Sequence, residues 1–376
     1  MTKEGDRHKE LAAMPGTAWV FRQALARTRS IALFFLFLTF LAMPVVLLII
    51  GRQNYFDLTS YMPDSLYMDG EIYANPVLFP LHLITSLITV ASVYLMSGAQ
   101  FRYLFQMKTV DSEVSLPLRS GQQFLGRLLA LMTSLALILT LNAAFTGLIF
   151  YQWDLFSHFL DYLRLYLSMA GAAFQLLAFS LVWYTLSGTL FDAILLNLGL
   201  QMAWFFSILN VLSMSGRLGS PPSSLLWLLT PAAGFITDFI WIRPLAQDLI
   251  PLVFWLVLSW FFFRRRPSER AGIRNGQLTW HRLLQPLFAL FGGVSLGRFV
   301  YLLFDDLTPI FQSPAFYLGL LAGSLLGQFV SSVVSGKALR KSPWIHELLS
   351  SMAGLLLFGI LAVLVHLCMT PPVNPW

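Results

Sequence analysis

Residues 31–50 read IALFFLFLTFLAMPVVLLII, twenty positions without one charge. At 1.5 Å of rise per residue, a helix of that length covers the ~30 Å hydrocarbon core of a bilayer. The run is longer than the apolar part of a cleavable signal, lacks a small-residue cleavage site and follows a polar start of mixed charge. It is therefore read as a retained first span.

Outward from this stretch the pattern repeats. Further apolar runs cover Pro76–Ser97, Leu128–Tyr151, Leu165–Thr185 and Leu190–Leu212, then Leu249–Phe263, Leu284–Phe304, Ala315–Val334 and Leu348–Cys368. The chain of 376 residues is 57% hydrophobic and 11% charged, with a mean hydropathy of +0.70. A water-soluble domain of this size cannot hide so much apolar surface. The expected fold is all-α, a polytopic membrane helix bundle of about nine transmembrane helices. Trp227–Trp241, WLLTPAAGFITDFIW, is interrupted by Pro231 and Asp238 and reads as an interfacial or re-entrant piece.

Basic residues set the expected orientation. With the N-terminus in the cytoplasm, nineteen of the 24 Lys and Arg fall on the inner side, while Asp57, Asp64, Asp69, Glu71, Asp154, Asp161, Asp305 and Asp306 fall outside. The net charge of +6 follows this membrane rule and does not point to nucleic acid. Before the first span, TAWVFRQALARTR spaces apolar residues at helical intervals with arginines between them, which predicts an amphipathic helix on the inner leaflet.

Catalytic constellations are thin. The single cysteine, Cys368, rules out a disulfide within these residues and a Cys-rich metal site. His8, His82, His158, His281, His346 and His366 are scattered, with no H-E-x-x-H spacing, so no metal and no catalytic residues are expected. The pair Asp305-Asp306 reads as a solvated turn. Ionisable residues within spans mark candidate translocation paths. Arg298 in the seventh span is one, read as snorkelling outward or pairing with Asp305; Asp192 is the other, at the start of the fifth, where it also suits the first turn of a helix. No G-x-x-x-x-G-K-[ST] pattern occurs, so no ATPase site of the chain's own and no bound cofactor are expected.

Between the second and third spans lies KTVDSEVSLPLR, residues 108–119, with four charges among apolar neighbours. The whole segment from Gln100 to Arg127 is about 28 residues, enough for several helical turns. Pro117 suits the first turn of a helix, which predicts a short helix over Leu118–Phe124 leading into the third span.

These residues resemble the first cytoplasmic loop of permease subunits in ABC-2-type transporters of Gram-positive bacteria. In that family a Lys and an Asp precede Ser-Leu-Pro, a basic residue and a short helix; here the matching positions are Lys108, Asp111, Ser115, Leu116, Pro117 and Arg119, with Glu113 between them. FFFRRRPSERAG, residues 261–272, is similar to the inner end of the family's sixth span, with Arg264, Arg265 and Arg266 followed by Glu269 and Arg270. YTLSGTLFDAILLNLGLQ is a weaker match to the turn joining the fourth and fifth spans.

The resemblance covers roughly residues 22–282, and together with the apolar runs it gives four expected parts. They are a cytoplasmic amphipathic segment over 1–30, a six-span permease core over 31–263 with a coupling loop at 100–127, a basic cytoplasmic loop over 264–283, and additional transmembrane helices over 284–376. It implies a multi-pass protein of the bacterial plasma membrane, an exporter driven by separate ABC ATPase subunits, and pairing with a second permease copy or a paralogue. The ATPase would dock on the coupling loop and bind the ATP. Two other classes make different demands. A secondary transporter or channel calls for inverted repeats and more intramembrane charge; a membrane-embedded enzyme calls for His, Asp or Glu clustered at one depth.

Overall fold

The computed structural model describes residues 16–53, 67–68, 71–72, 78–114, 118–152, 156–214, 231, 245–267, 271–273, 285–304, 310–334, 349 and 351–361. The protein is an all-α polytopic membrane helix bundle. Its one β feature among these residues is a two-residue antiparallel ladder, β1 (Tyr67–Met68) with β2 (Glu71–Ile72). Among the described residues, seven helices are long and apolar enough to cross a bilayer, and two shorter apolar helices, Leu249–Arg264 and Ser351–Leu361, fall on the sixth and ninth predicted spans.

The described helices divide between two compact units, the first of residues 1–186 and 234–271, the second of 187–233 and 272–376. The fifth span lies in the second of these units.

The first unit opens with α1 (Gly16–Phe40), a π-helical turn (Leu41–Val45) and α2 (Val46–Gln53). The stretch predicted to lie on the inner leaflet and the first span are one uninterrupted helix, because no glycine, proline or capping break separates Ser30 from Ile31. Its apolar extent, Gly16–Ile49, is 34 residues. At ~1.5 Å per residue that is about 51 Å, well beyond the hydrocarbon thickness, so one end projects from the bilayer.

The π turn has a local cause. In an α register Pro44, which has no N–H, leaves the carbonyl of Phe40 without a donor; a five-residue register passes that carbonyl to Val45. Beside this turn the buried Asn142 Nδ2 donates to the Thr39 carbonyl at 2.8 Å. The bond places a polar side chain on the backbone next to the irregular turn, where hydrocarbon offers no water partner.

Next come α3 (Leu78–Phe101), a 3₁₀ turn (Arg102–Phe105), α4 (Met107–Val114), α5 (Ser120–Gln152), α6 (Phe156–Leu186) and, later in the chain, α8 (Leu245–Arg264). Helix α6 forms the core: 82% of its apolar window is buried, against 28% for the first span. Ala172, Ala173, Leu176, Ala178, Phe179 and Leu181 are all inaccessible, so apolar residues surround the helix on every side.

The second unit holds α7 (Leu190–Met214), α9 (Gln285–Phe304), a 3₁₀ turn (Ile310–Gln312), α10 (Pro314–Val334) and α11 (Ser351–Leu361). Two starts follow directly from sequence. The Asp192 N–H, in the first turn of α7, bonds the Thr189 hydroxyl at 3.1 Å, and the buried Ser313 stands at the N-cap of α10 before Pro314. Helices α9 and α10 pack backbone to backbone. A Cβ on Gly292 would strike the Gly323 carbonyl, one on Gly327 the Phe288 carbonyl, and one on Gly319 would lie 2.8 Å from the Gly297 Cα. The run GLLAGSLLG, residues 319–327, supplies this surface with a glycine every fourth residue, the spacing that lets membrane helices approach closely. Ile208, Val211, Leu290, Val294, Phe316, Leu320 and Leu361 close the core of this unit.

Candidate partner-docking site

The polar segment between α3 and α5 is itself helical, but the helix lies earlier than predicted. Met107–Val114 forms α4, whereas Leu118 and Arg119 precede α5, which runs from Ser120 without a break. The anticipated short helix over Leu118–Phe124 is therefore the first turn of the third span. Its start is set by Gln122, whose side-chain oxygen accepts the Arg119 N–H at 3.1 Å, the reach-back half of a capping box. Ser115, Leu116 and Pro117 lie outside the described residues, as does the side chain of Glu113.

An isolated helix of eight residues is marginal in water, so α4 depends on what it rests upon. Val110 is 4% exposed and turns inward, while the Thr109 hydroxyl donates to the Tyr103 carbonyl at 3.1 Å. The N–H groups of Thr109 and Val110 bond the carbonyl of Gln106, which is extended at φ −121° and ends the 3₁₀ turn. Lys108 and Asp111 are exposed on the opposite side. The result is a short amphipathic helix presenting a positive and a negative side chain to solvent.

Two arginines build the platform beneath it. Arg127 of α5 is 3% exposed; it donates to the Gln100 carbonyl at 3.0 Å and lies 3.8 Å from the centroid of the Tyr103 ring. Gln100 in turn donates its side-chain N–H to the Ala24 carbonyl of α1. At the end of α8, Arg266 donates to the carbonyls of Tyr184 at 3.1 Å and Leu104 at 2.8 Å, and also to that of Thr185, with the Phe105 ring 5.6 Å away. Carbonyls at helix C-termini carry partial negative charge and lack intrahelical donors, so a guanidinium satisfies both the charge and the hydrogen bonds. Phe101, Phe124 and Phe263 pack around the same point, with centroids 5.2–6.3 Å apart.

The basic run thus separates into two kinds of residue. Arg266 is drawn inward, whereas Arg264 and Arg265 stay exposed and lie over Trp260 at 4.8 Å and Phe261 at 4.1 Å. Glu269 and Arg270 lie outside the described residues. Sequence reasoning singled out neither Arg127 nor Gln100 as a site residue. The available signal was a charge at 127 within a helix that the apolar pattern starts only at 128.

The two candidate path residues are not brought together. Arg298 donates to Asn210 Oδ1 at 2.9 Å, near the far end of α7, and Asp305 lies outside the described residues. Asp192 stands in the first turn of the same helix, eighteen residues from Asn210 and so about 27 Å along the axis. Polar side chains concentrate instead on α3, where Thr85, Ser86, Thr89, Ser92 and Ser97 are buried at helical spacing. Thr85 and Thr89 each bond back to their own helix at 2.8 Å, which satisfies them in a lipid-excluded interface. Among the described residues, no group of three or more His, Cys, Asp or Glu could hold a metal ion.

No family model matches the chain, and neither a curated protein nor a solved structure is similar enough to match it.

Proposed function

We propose that this protein is the membrane-spanning permease subunit of an ATP-driven transporter of the ABC-2 type, and that separate ATPase subunits dock on α4. The observation that carries the reading is a short charged helix mounted on a platform held by Arg127 and Arg266. A helix fixed at its base to the ends of α3, α5, α6 and α8 transmits rigid-body motion into those spans, which a solvated loop of the same composition does not. Its exposed Lys108 and Asp111 suit a polar, reversible interface. The ordered motifs at Lys108–Arg119 and Phe261–Gly272 support the same assignment, as does the absence of a phosphate-binding loop from the sequence.

On this reading α4 faces the cytoplasm of a bacterium, the ATPase binds and hydrolyses ATP, and closure of its dimer rocks the spans. Two permease units, identical or paralogous, sit over two ATPases, and transport runs outward. Affinity purification of the chain from detergent-solubilised membranes of its host tests the assignment. Recovery of an ATPase carrying a G-x-x-x-x-G-K-[ST] loop supports it; consistent absence of one overturns it.

A further inference from the structure

A groove of about 590 Å³ opens between the start of α5 and the end of α8. Its composition is layered. Arg119, just before α5, and Arg264, the last residue of α8, both line it and both are exposed. Six residues on, in the second turn of α5, is Leu125, 46% exposed, and about one turn back along α8 is Trp260, 41% exposed. Leu125 and Trp260 belong to the apolar stretches of α5 and α8, whereas Arg119 and Arg264 stand at the ends of those stretches, so hydropathy puts the two apolar residues on the hydrocarbon side of both arginines. Gly121 borders Trp260 in the floor, where a Cβ would make ordinary contact 3.7 Å from the indole Nε1.

We propose that this groove binds an anionic phospholipid, with Arg119 and Arg264 holding the phosphate and Leu125 and Trp260 contacting the first part of an acyl chain. Paired guanidinium groups from two helices fit a phosphate through forked hydrogen bonds and charge. A tryptophan at this depth suits the boundary between headgroup and hydrocarbon. The apolar layer distinguishes the occupant: a soluble phosphate has no use for Leu125 and Trp260, whereas a lipid places its chain on them. Among the described residues, those lining the groove include no carboxylate. Arg119, matched by sequence to a docking motif, thus takes a membrane-facing role, and the site stands whether or not an ATPase docks on α4.

Native mass spectrometry of the purified full chain, with phosphatidylglycerol and phosphatidylcholine offered in equal amounts, tests the proposal. The wild type should retain phosphatidylglycerol about thirty-fold better, the order expected of two arginines at a membrane surface at about 1 kcal/mol each. The double variant R119Q/R264Q should lose that preference, and R265Q, which alters the neighbouring exposed arginine, should keep it. Equal preference in the wild type and the double variant overturns the site, and so does an equal loss in R265Q. Should the double variant not yield monodisperse protein, quenching decides. Phosphatidylglycerol brominated near the glycerol should quench wild-type fluorescence more than the brominated choline lipid, and W260F should abolish the difference. An equal quench by both lipids overturns the proposal. Inorganic phosphate at 50 mM should leave lipid retention unchanged; displacement would assign the groove to a soluble anion and overturn the lipid assignment.

Discussion

Arg266 donates its guanidinium to the main-chain carbonyl of Leu104, 2.8 Å away and 162 residues earlier in the chain. The same side chain bonds the end of α6, so one cation joins three segments beneath α4. Replacing it with methionine keeps most of the volume and leaves those carbonyls without their donor. R266M should destabilise the protein by about 2–3 kcal/mol, since each unsatisfied buried group costs roughly 1–3 kcal/mol. R265M should stay within about 0.5 kcal/mol. Reversible unfolding in mixed micelles measures both, and equal effects would refute the distinction.

The close approach of α9 and α10 predicts a contrast between glycines. A Cβ at Gly323 meets the Gly292 carbonyl, whereas one at Gly359 meets nothing within 4 Å. G323A should cost about 1–3 kcal/mol through forced separation of the two backbones. G359A should be neutral or stabilising by up to about 1 kcal/mol, because alanine favours helix over glycine. The same unfolding assay reads the difference.

Asn142 donates to the Thr39 carbonyl, one residue before the carbonyl that Pro44 deprives of its α-register donor. N142A should cost about 1 kcal/mol in the wild type, in the range of polar contacts between membrane helices. In a P44A background, where the α register can reform beside Thr39, the same change should cost less. A double-mutant cycle gives the coupling directly, and strict additivity would show that the two features are unrelated.

Arg298, one of the two candidate path residues, donates to Asn210 within the second unit. A cycle of R298M and N210L should show a coupling of about 1 kcal/mol. If R298M instead leaves stability unchanged and abolishes transport, Arg298 acts on the cargo and not on packing.

The spans were legible because hydropathy and length suffice to mark a helix in lipid: each of the nine predicted runs falls on a helix. Helix α4 was not legible as a helix. Thr109, Val110, Asp111 and Ser112 are weak helix formers, and what folds them is the seat under Val110 and Thr109, a tertiary effect. The sequence also presents Arg264, Arg265 and Arg266 as equals; only the end of α8 decides which of them turns toward the carbonyls. The glycines at 319, 323 and 327 were a readable signal of close packing, as was the serine and threonine spacing on α3. The grouping of α7 with the C-terminal helices depends on contacts far apart in sequence, which no local pattern carries.

The central claim is that α4 receives an ATPase. Lys108 and Asp111 are exposed and take no part in seating the helix, so K108E/D111K reverses the presented charges while leaving Val110 and Thr109 in place. Co-purification of the variant with the ATPase, at equal membrane abundance, is the most direct measurement. The account predicts at least a ten-fold loss of bound ATPase with unchanged thermal stability; full retention of the ATPase by the charge-reversed helix would contradict it.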